Sequence, residues 1–288
     1  MAFFAGKRFE EVNPGPISYI GFWLKTQFSI AKYWATVVRK QPHILRRTVS
    51  LKNAHINQKA FLFGNGPSLS KLEPSKINNY LKAGFKLIAV NSFIKSEEWR
   101  KIRPDYYVLS DPSDFLMNEL SSSALRMVIE NKIPLFLPME YYSSFDYPFK
   151  YAFWNADNVF GRNLTHITRP KAYPCYVTVY KALAICLFMG FKDIYICGID
   201  NNYFLDMSVS KNNVVEQKDI HFYDSDVHFK KKIRLFNRTT SSVYFRYISY
   251  LFMYLELYSR FNIVNLDSSS YVDCFSKEHD LDVYSEGD

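Results

Sequence analysis

A chain of 288 residues that is 48% hydrophobic and 18% aromatic can bury a full core, which excludes a disordered chain. Its net charge of +8 points to anionic partners, either a membrane surface or a phosphorylated substrate. Nucleic acid is not expected, because the sequence has no zinc-finger spacing, RNP signature or long Lys/Arg block. The 22 Tyr and 25 Phe read first as an aromatic core and second as a surface that meets sugars or lipid headgroups. Cys175, Cys186, Cys197 and Cys274 form no Cys-x-x-Cys pair, so they read as reduced, buried thiols of a cytosolic protein rather than a disulfide frame or zinc site. No cleavable signal and no run of about 18 uncharged apolar residues is expected to cross a membrane.

In chain order, residues 1–16 mix glycine, proline and charge and read as an irregular arm. Residues 17–38 place Tyr19, Ile20, Trp23, Leu24, Phe28, Ala31, Trp34, Ala35 and Val38 at near-helical spacing, punctuated by Lys25, Lys32, Arg39 and Lys40. Such a helix either lies in a membrane interface or packs on the domain with its basic residues in water. This arm and helix, residues 1–56, precede a single domain over 57–275 with a lid or insertion at about 201–238, and an acidic tail over 276–288 that reads as frayed.

Within the domain the rhythm is strand, helix, strand. Ala60 to Phe63 form an apolar run that suits a buried parallel strand, and the glycine turn Gly64-Asn65-Gly66-Pro67-Ser68 follows it. Strand, glycine turn and helix start together predict an anion cradle, in which helix N–H groups point beyond the strand's carboxyl end. A helix near 75–82 ends at Gly84, and a second strand at 86–90 runs into Asn91-Ser92. A short helix is predicted near 95–101, a third strand at 106–109 ends in Ser110-Asp111-Pro112, and a helix near 114–130 precedes a strand at 133–137. Residues 138–172 are aromatic without a clear period and read as a lid or acceptor-site excursion. After Tyr173-Pro174-Cys175, residues 177–189 form a buried helix closed by Gly190, with Pro174 suited to its first turn. A strand at 193–197 ends in Gly198-Ile199-Asp200. Residues 201–232 read as a long polar loop, followed by a helix near 240–259 and a short strand at 263–266.

This alternation predicts an α/β fold: one Rossmann-like domain, its mostly parallel sheet covered by helices on both faces. Four polar clusters fall at strand carboxyl ends, where ligands of such sheets bind. The glycine turn has Leu69 where a dinucleotide fingerprint has its third glycine, and it lacks the Gly-Lys-Ser/Thr ending of an ATPase loop. Asn65 and Asn91 suit a ribose, a base edge or a sugar carboxylate, or serve as turn caps. Asp111 and Asp200 suit a ribose hydroxyl or a divalent metal, and Asp224-Ser225-Asp226 is a weak metal signal in a polar loop. His221 and His228 are candidate general bases, with Phe222-Tyr223 beside the first.

The ordered series Gly64-Asn65-Gly66-Pro67-Ser68-Leu69, Val90-Asn91-Ser92-Phe93, Asp111-Pro112-Ser113, Gly190-Phe191-Lys192-Asp193-Ile194-Tyr195 and Gly198-Ile199-Asp200 resembles the bacterial sialyltransferases of glycosyltransferase family 42. It also resembles the domain of proteins similar to archaeal 6-hydroxymethylpterin diphosphokinase. The first resemblance implies a CMP-sugar donor, a histidine base, and no metal or other cofactor. It places Gly64, Asn65, Gly66, Pro67, Ser68, Asn91, Ser92, Asp111, Pro112, Tyr173, Cys175, Gly198 and Asp200 around the donor. The family's Thr-Ser-Gly is replaced by Tyr173-Pro174-Cys175, and its frequent Asn by Asp111. The expected function is transfer of a sugar, such as sialic acid or another nonulosonic acid, to a glycan or glycolipid of a surface polysaccharide, lipopolysaccharide or capsule. Such an enzyme would work in the cytoplasm, peripheral to the inner face of the bacterial membrane. The second resemblance implies a Mg/ATP-dependent pyrophosphokinase of a small heterocycle with Asp111, Asp114 and Asp200 as metal ligands; a scaffold subunit is the non-catalytic alternative.

Overall fold

Continuous apolar runs dominate the central strands, and alternate residues of each run serve two separate cores. The computed structural model describes residues 42–96, 99–111, 115, 123–155, 167–168, 177–218, 233–236, 240–258 and 260–278, together with scattered positions between 20 and 39. Its elements are α1 (Pro42–Val49), β1 (Lys59–Phe63), α2 (Pro74–Lys82), β2 (Lys86–Val90), β3 (Tyr106–Val108), α3 (Ser123–Glu130), β4 (Leu135–Pro138), β5 (Lys150–Phe153), α4 (Thr178–Met189), β6 (Asp193–Cys197), β7 (Met207–Val209), β8 (Val215–Lys218), β9 (Ile233–Phe236), α5 (Thr240–Tyr258), β10 (Asn262–Asn265) and β11 (Ser276–Lys277). Among the described residues, eight strands form one sheet in the order β11-β10-β6-β1-β2-β3-β4-β5. Every pairing in that sheet is parallel.

Ala60, Leu62, Ile88, Val90, Ile194 and Ile196 face one side, where α4 and α5 cover them. Phe61, Phe63, Leu87, Ala89, Tyr195 and Cys197 face the other, against Ile77 and Tyr80 of α2 and Leu125 and Val128 of α3. This is the α/β fold with helices on both faces that the alternation predicts. Both cores are rich in aromatics: Trp99, Tyr107, Tyr180, Tyr195 and Tyr254 are among the largest fully buried side chains. Cys186 and Cys197 are buried free thiols, Cys274 is a half-buried one, and Cys175 lies outside the described residues. Burial pushes the thiols of Cys197 and Cys274 up to about 12.

Several sequence expectations need correction. The helix expected near 95–101 is two 3-10 turns, Phe93–Lys95 and Trp99–Lys101. Ser96 breaks the run, and its hydroxyl accepts the Trp99 N–H at 3.4 Å while Trp99 fills the core. The aromatic stretch after 138 contains a full strand, β5, at the sheet edge. Thr48 of α1 covers that edge: its hydroxyl donates to the Ala152 carbonyl (2.7 Å) and accepts the Ala152 N–H (3.0 Å). The polar stretch after 201 is not a plain loop, since β7, β8 and β9 form a separate antiparallel sheet. The tail begins with β11, paired to β10, rather than fraying at Ser276. α4 starts at Thr178 with Val177 extended before it, so Pro174 cannot serve its first turn. The helix predicted over 114–130 is described only from Ser123.

Among the described residues no helix is long and apolar enough to cross a membrane. The described positions of the N-terminal segment include exposed Ile20, Leu24, Phe28 and Trp34, with Phe28 72% exposed.

Candidate functional site

β1 is followed by β2 on one side of it, while β6 lies on its other side and is followed outward by β10. Strand order therefore reverses between β1 and β6, and the crevice beyond their carboxyl ends is where such a sheet takes a ligand. Two glycines form its floor. The Gly64 N–H donates to the Cys197 carbonyl and the Gly66 N–H to the Gly198 carbonyl, both at 2.8 Å. A Cβ on Gly64 would lie 2.2 Å from the Gly198 carbonyl oxygen, and Gly198 itself has a left-handed φ of +68°. The strand ends touch backbone to backbone, which only glycine permits.

Gly66 has an extended backbone (φ −69°, ψ 156°) that any residue adopts, and its need is steric: a Cβ there would lie 1.8 Å from Asp200 Oδ2. Asp200 reaches across from the end of β6 to Ser68. It accepts the Ser68 N–H at 3.1 Å on Oδ1 and the Ser68 hydroxyl at 2.9 Å on Oδ2, while the Gly198 N–H donates back to Ser68 Oγ at 3.1 Å. The anion cradle expected after β1 is thus a five-residue 3-10 turn, Pro67–Lys71, already holding the chain's own carboxylate. Burial raises the Asp200 pKa; the Ser68 hydrogen bond opposes this, and nearby Asp267 adds to the rise.

Above this floor, polar side chains line the strand ends. Asn65 donates through Nδ2 to the Val90 carbonyl (3.2 Å), and its buried Oδ1 finds no partner among the described residues. Asn91 adopts a left-handed φ of 48°, held by the Tyr107 hydroxyl donating to its carbonyl (2.6 Å), and its Oδ1 is likewise unsatisfied. Asn201, after Asp200, is also left-handed, only 4% exposed, and has an unsatisfied Nδ2. Ser92 is half-buried at the start of the next 3-10 turn, without a side-chain capping bond. At the end of β3, Ser110 Oγ lies 2.7 Å from Thr178 Oγ1 at the N-terminus of α4, and Asp111 beside it is exposed. At the end of β10, Asp267 Oδ1 accepts from Lys71 Nζ (3.0 Å), the Ser269 N–H (3.1 Å) and the Ser269 hydroxyl (2.7 Å). Among the described residues, no group of three or more His, Cys, Asp and Glu side chains is placed to hold a metal ion.

The family model described as 6-hydroxymethylpterin diphosphokinase MptE-like matches residues 35–204, more than half of the chain. The chain belongs to this MptE-like family. Among solved structures, the MAf glycosyltransferase of Magnetospirillum magneticum AMB-1 is similar with a TM-score of 0.42 and 12% identity, over 82% of this chain and 37% of that one. This chain thus spans little more than a third of that protein, and so distant a likeness says nothing about activity. No curated protein matches the sequence.

The match to the MptE-like family takes in β1 to β6 and every crevice residue except those after β10. Of the residues singled out from sequence, this MptE-like chain brings Gly64, Asn65, Gly66, Pro67, Ser68, Gly198 and Asp200 together at the β1/β6 end. Asn91 and Ser92 stand at the adjoining end of β2, and Asp111 beyond β3. Pro112, Tyr173, Cys175, His221, His228 and the Asp224-Ser225-Asp226 triplet lie outside the described residues. Sequence reading missed Asn201, Thr178, Ser110 and the Lys71–Asp267–Ser269 group. It also missed Lys181, whose signal was available as the one charge in the apolar run 177–189.

If the Gly66 position exists to admit Asp200, Gly66→Ala should destabilise the protein by about 1–3 kcal/mol, the usual scale of overpacking. The cost should shrink in an Asp200→Ala background, where the nearest clashing atoms are gone. Equilibrium urea unfolding of the two singles and the double gives the coupling; an unchanged cost would separate Gly66 from Asp200.

Burial raises the Asp267 carboxyl, but the hydrogen bonds from Ser269 and Lys71 more than offset this and leave it below the ordinary value of 3.8. Its contribution to stability is therefore complete above 3.8 and disappears as pH falls through the lower folded value. With Lys71 largely in solvent, Asp267→Asn should cost about 1 kcal/mol at pH 7. The difference from wild type should narrow as pH falls below 3.8; unfolding curves with a constant gap would contradict the assignment.

Proposed function

We propose that this MptE-like chain is a nucleotide-dependent transferase and that the group it moves is a sugar. The observation that carries the proposal is the row of buried, unsatisfied amide atoms on Asn65, Asn91 and Asn201, at the ends of three adjacent strands about the switch point. Buried polar atoms left without partners are costly unless a ligand or water completes them, and a nucleoside offers hydroxyls and a base edge of matching chemistry. In the reaction the acceptor hydroxyl attacks the anomeric carbon, a base takes its proton, and the nucleotide leaves with the electron pair of the broken glycosidic bond. His221 is proposed as that base, with His228 as the alternative. A CMP-linked nonulosonic acid such as sialic acid is the proposed donor, and a glycan or glycolipid the acceptor. The exposed apolar side chains of Ile20, Leu24, Phe28 and Trp34, interspersed with lysines, support a peripheral site at the cytoplasmic membrane face, where a lipid-linked acceptor would be found.

The family description favours a second reading, ATP-dependent diphosphate transfer to a pterin-like heterocycle. That chemistry calls for carboxylates free to hold magnesium. Asp200 instead accepts from Ser68 through both oxygens, and burial disfavours its charged form, which weighs toward the sugar.

Calorimetry with CMP, CDP, UDP, GDP and magnesium-ATP tests the choice. The proposal expects a metal-independent response to a cytidine nucleotide; binding of ATP alone, and only with magnesium, selects the diphosphokinase. For the base, His221→Ala should lower turnover by about 10²–10⁴ with donor affinity unchanged. Near wild-type turnover in that variant and loss in His228→Ala would exchange the two roles.

A further inference from the structure

α4 is buried along nearly its whole length, and its only charged residue is Lys181. This lysine is 6% exposed, and among the described residues no hydrogen bond or ion pair holds its ammonium group. Its stem is buried while its ammonium nitrogen, without a partner among the described residues, keeps contact with solvent. It also stands in the first helical turn, where the N–H groups already carry partial positive charge and anions, not cations, are stabilised. Val177, the residue before the helix, supplies no side-chain cap to offset that charge.

The direction of the side chain follows from helix geometry. Cα–Cβ bonds tilt toward the helix N-terminus, and long side chains lie back over the preceding turn. Thr178, three residues earlier on the same face, touches Ser110 at the carboxyl end of β3. The head of Lys181 is therefore aimed at the crevice end of the sheet. α4 packs over β1 and β2, the strands whose ends carry the unsatisfied oxygens of Asn65 and Asn91. Cationic head, helix N-terminus and unsatisfied amides all lie toward the carboxyl-end side of the sheet, while the glycine turn that resembled a phosphate loop is filled by Asp200.

We propose that Lys181 and the first turn of α4 form the phosphate-binding end of the crevice, taking the phosphoryl group of its nucleotide by direct ionic contact. The inference rests on the nucleotide reading above and moves the anion site from the turn after β1 to the start of α4.

Lys181→Met keeps the apolar stem and removes the charge. Wild type and variant are titrated with the best-binding nucleotide of the panel, with its nucleoside, and with pyrophosphate, and both are melted without ligand. Wild type should prefer nucleotide to nucleoside by about tenfold or more, and the variant should bind the two alike, as loss of a charge-assisted contact requires. The unliganded variant should melt at the same temperature or higher, because the apolar stem is kept and no partner inside the protein is lost. A variant that keeps the preference overturns the proposal, as does one that melts several degrees lower, which would mean the lysine is partnered inside the protein. Pyrophosphate binding that disappears in Lys181→Met, with no nucleotide bound by wild type, keeps the anion site and removes the nucleotide reading. Wild type that binds neither overturns both.

Discussion

The ends of β1 and β6 meet through glycine alone, and everything at the crevice depends on that contact. Gly64 and Gly198 touch through their backbones, and a Cβ on either would collide with the other's carbonyl group. Such closeness leaves Gly66 without room for a side chain and lets Asp200 cross to Ser68. Ser68 then bonds back to the Gly198 N–H, closing a small network that ties two strands 130 residues apart in sequence. The same floor is continued toward β10 by the Ser270 hydroxyl, which donates to the Ile199 carbonyl, and by the Tyr271 N–H, which donates to that of Asp200. A rigid base of this kind is what a binding site needs if its side chains are to hold unsatisfied groups in place.

The glycine motif therefore has a structural meaning before it has a functional one. Helix starts attract anions, and a protein can supply the anion itself. Here Asp200 does so, and its burial and hydrogen bonds draw it into the architecture. In the proposed site, the part of the crevice that takes the ligand is the row of amides above that floor and the first turn of α4. Left-handed backbone at Asn91 and Asn201 holds two of those amides in conformations that most residues avoid and asparagine tolerates.

The sheet was legible in the sequence because β1, β2 and β6 are buried on both faces and read as unbroken apolar runs. β5 escaped because Lys150 opens it within an aromatic stretch; its ammonium group is held by the carbonyls of Tyr142 and Phe145, a solution invisible in one dimension. The small sheet of β7, β8 and β9 was missed because its strands are three or four residues long and polar in part, with Gln217 engaged by the Tyr247 hydroxyl of α5. At the site, Asn65 and Asn91 were visible as polar residues after apolar strands, whereas the partner of Ser68 was not. A carboxylate in a turn and one in a site have the same local sequence, and only the 132-residue closure between Ser68 and Asp200 distinguishes them. Lys181 was legible as an anomaly, the single charge in an apolar helix, yet its meaning needed the observation that nothing described pairs with it.

The most direct measurement is a crystal structure with the tightest-binding nucleotide. The account predicts the nucleoside over the ends of β1 and β2 against Asn65 and Asn91, the phosphate at Lys181 and the first turn of α4, and Asp200 still bonded to Ser68. A phosphate seated on the Ser68 N–H with Asp200 displaced, or a nucleotide bound away from the β1/β6 crevice, would contradict it.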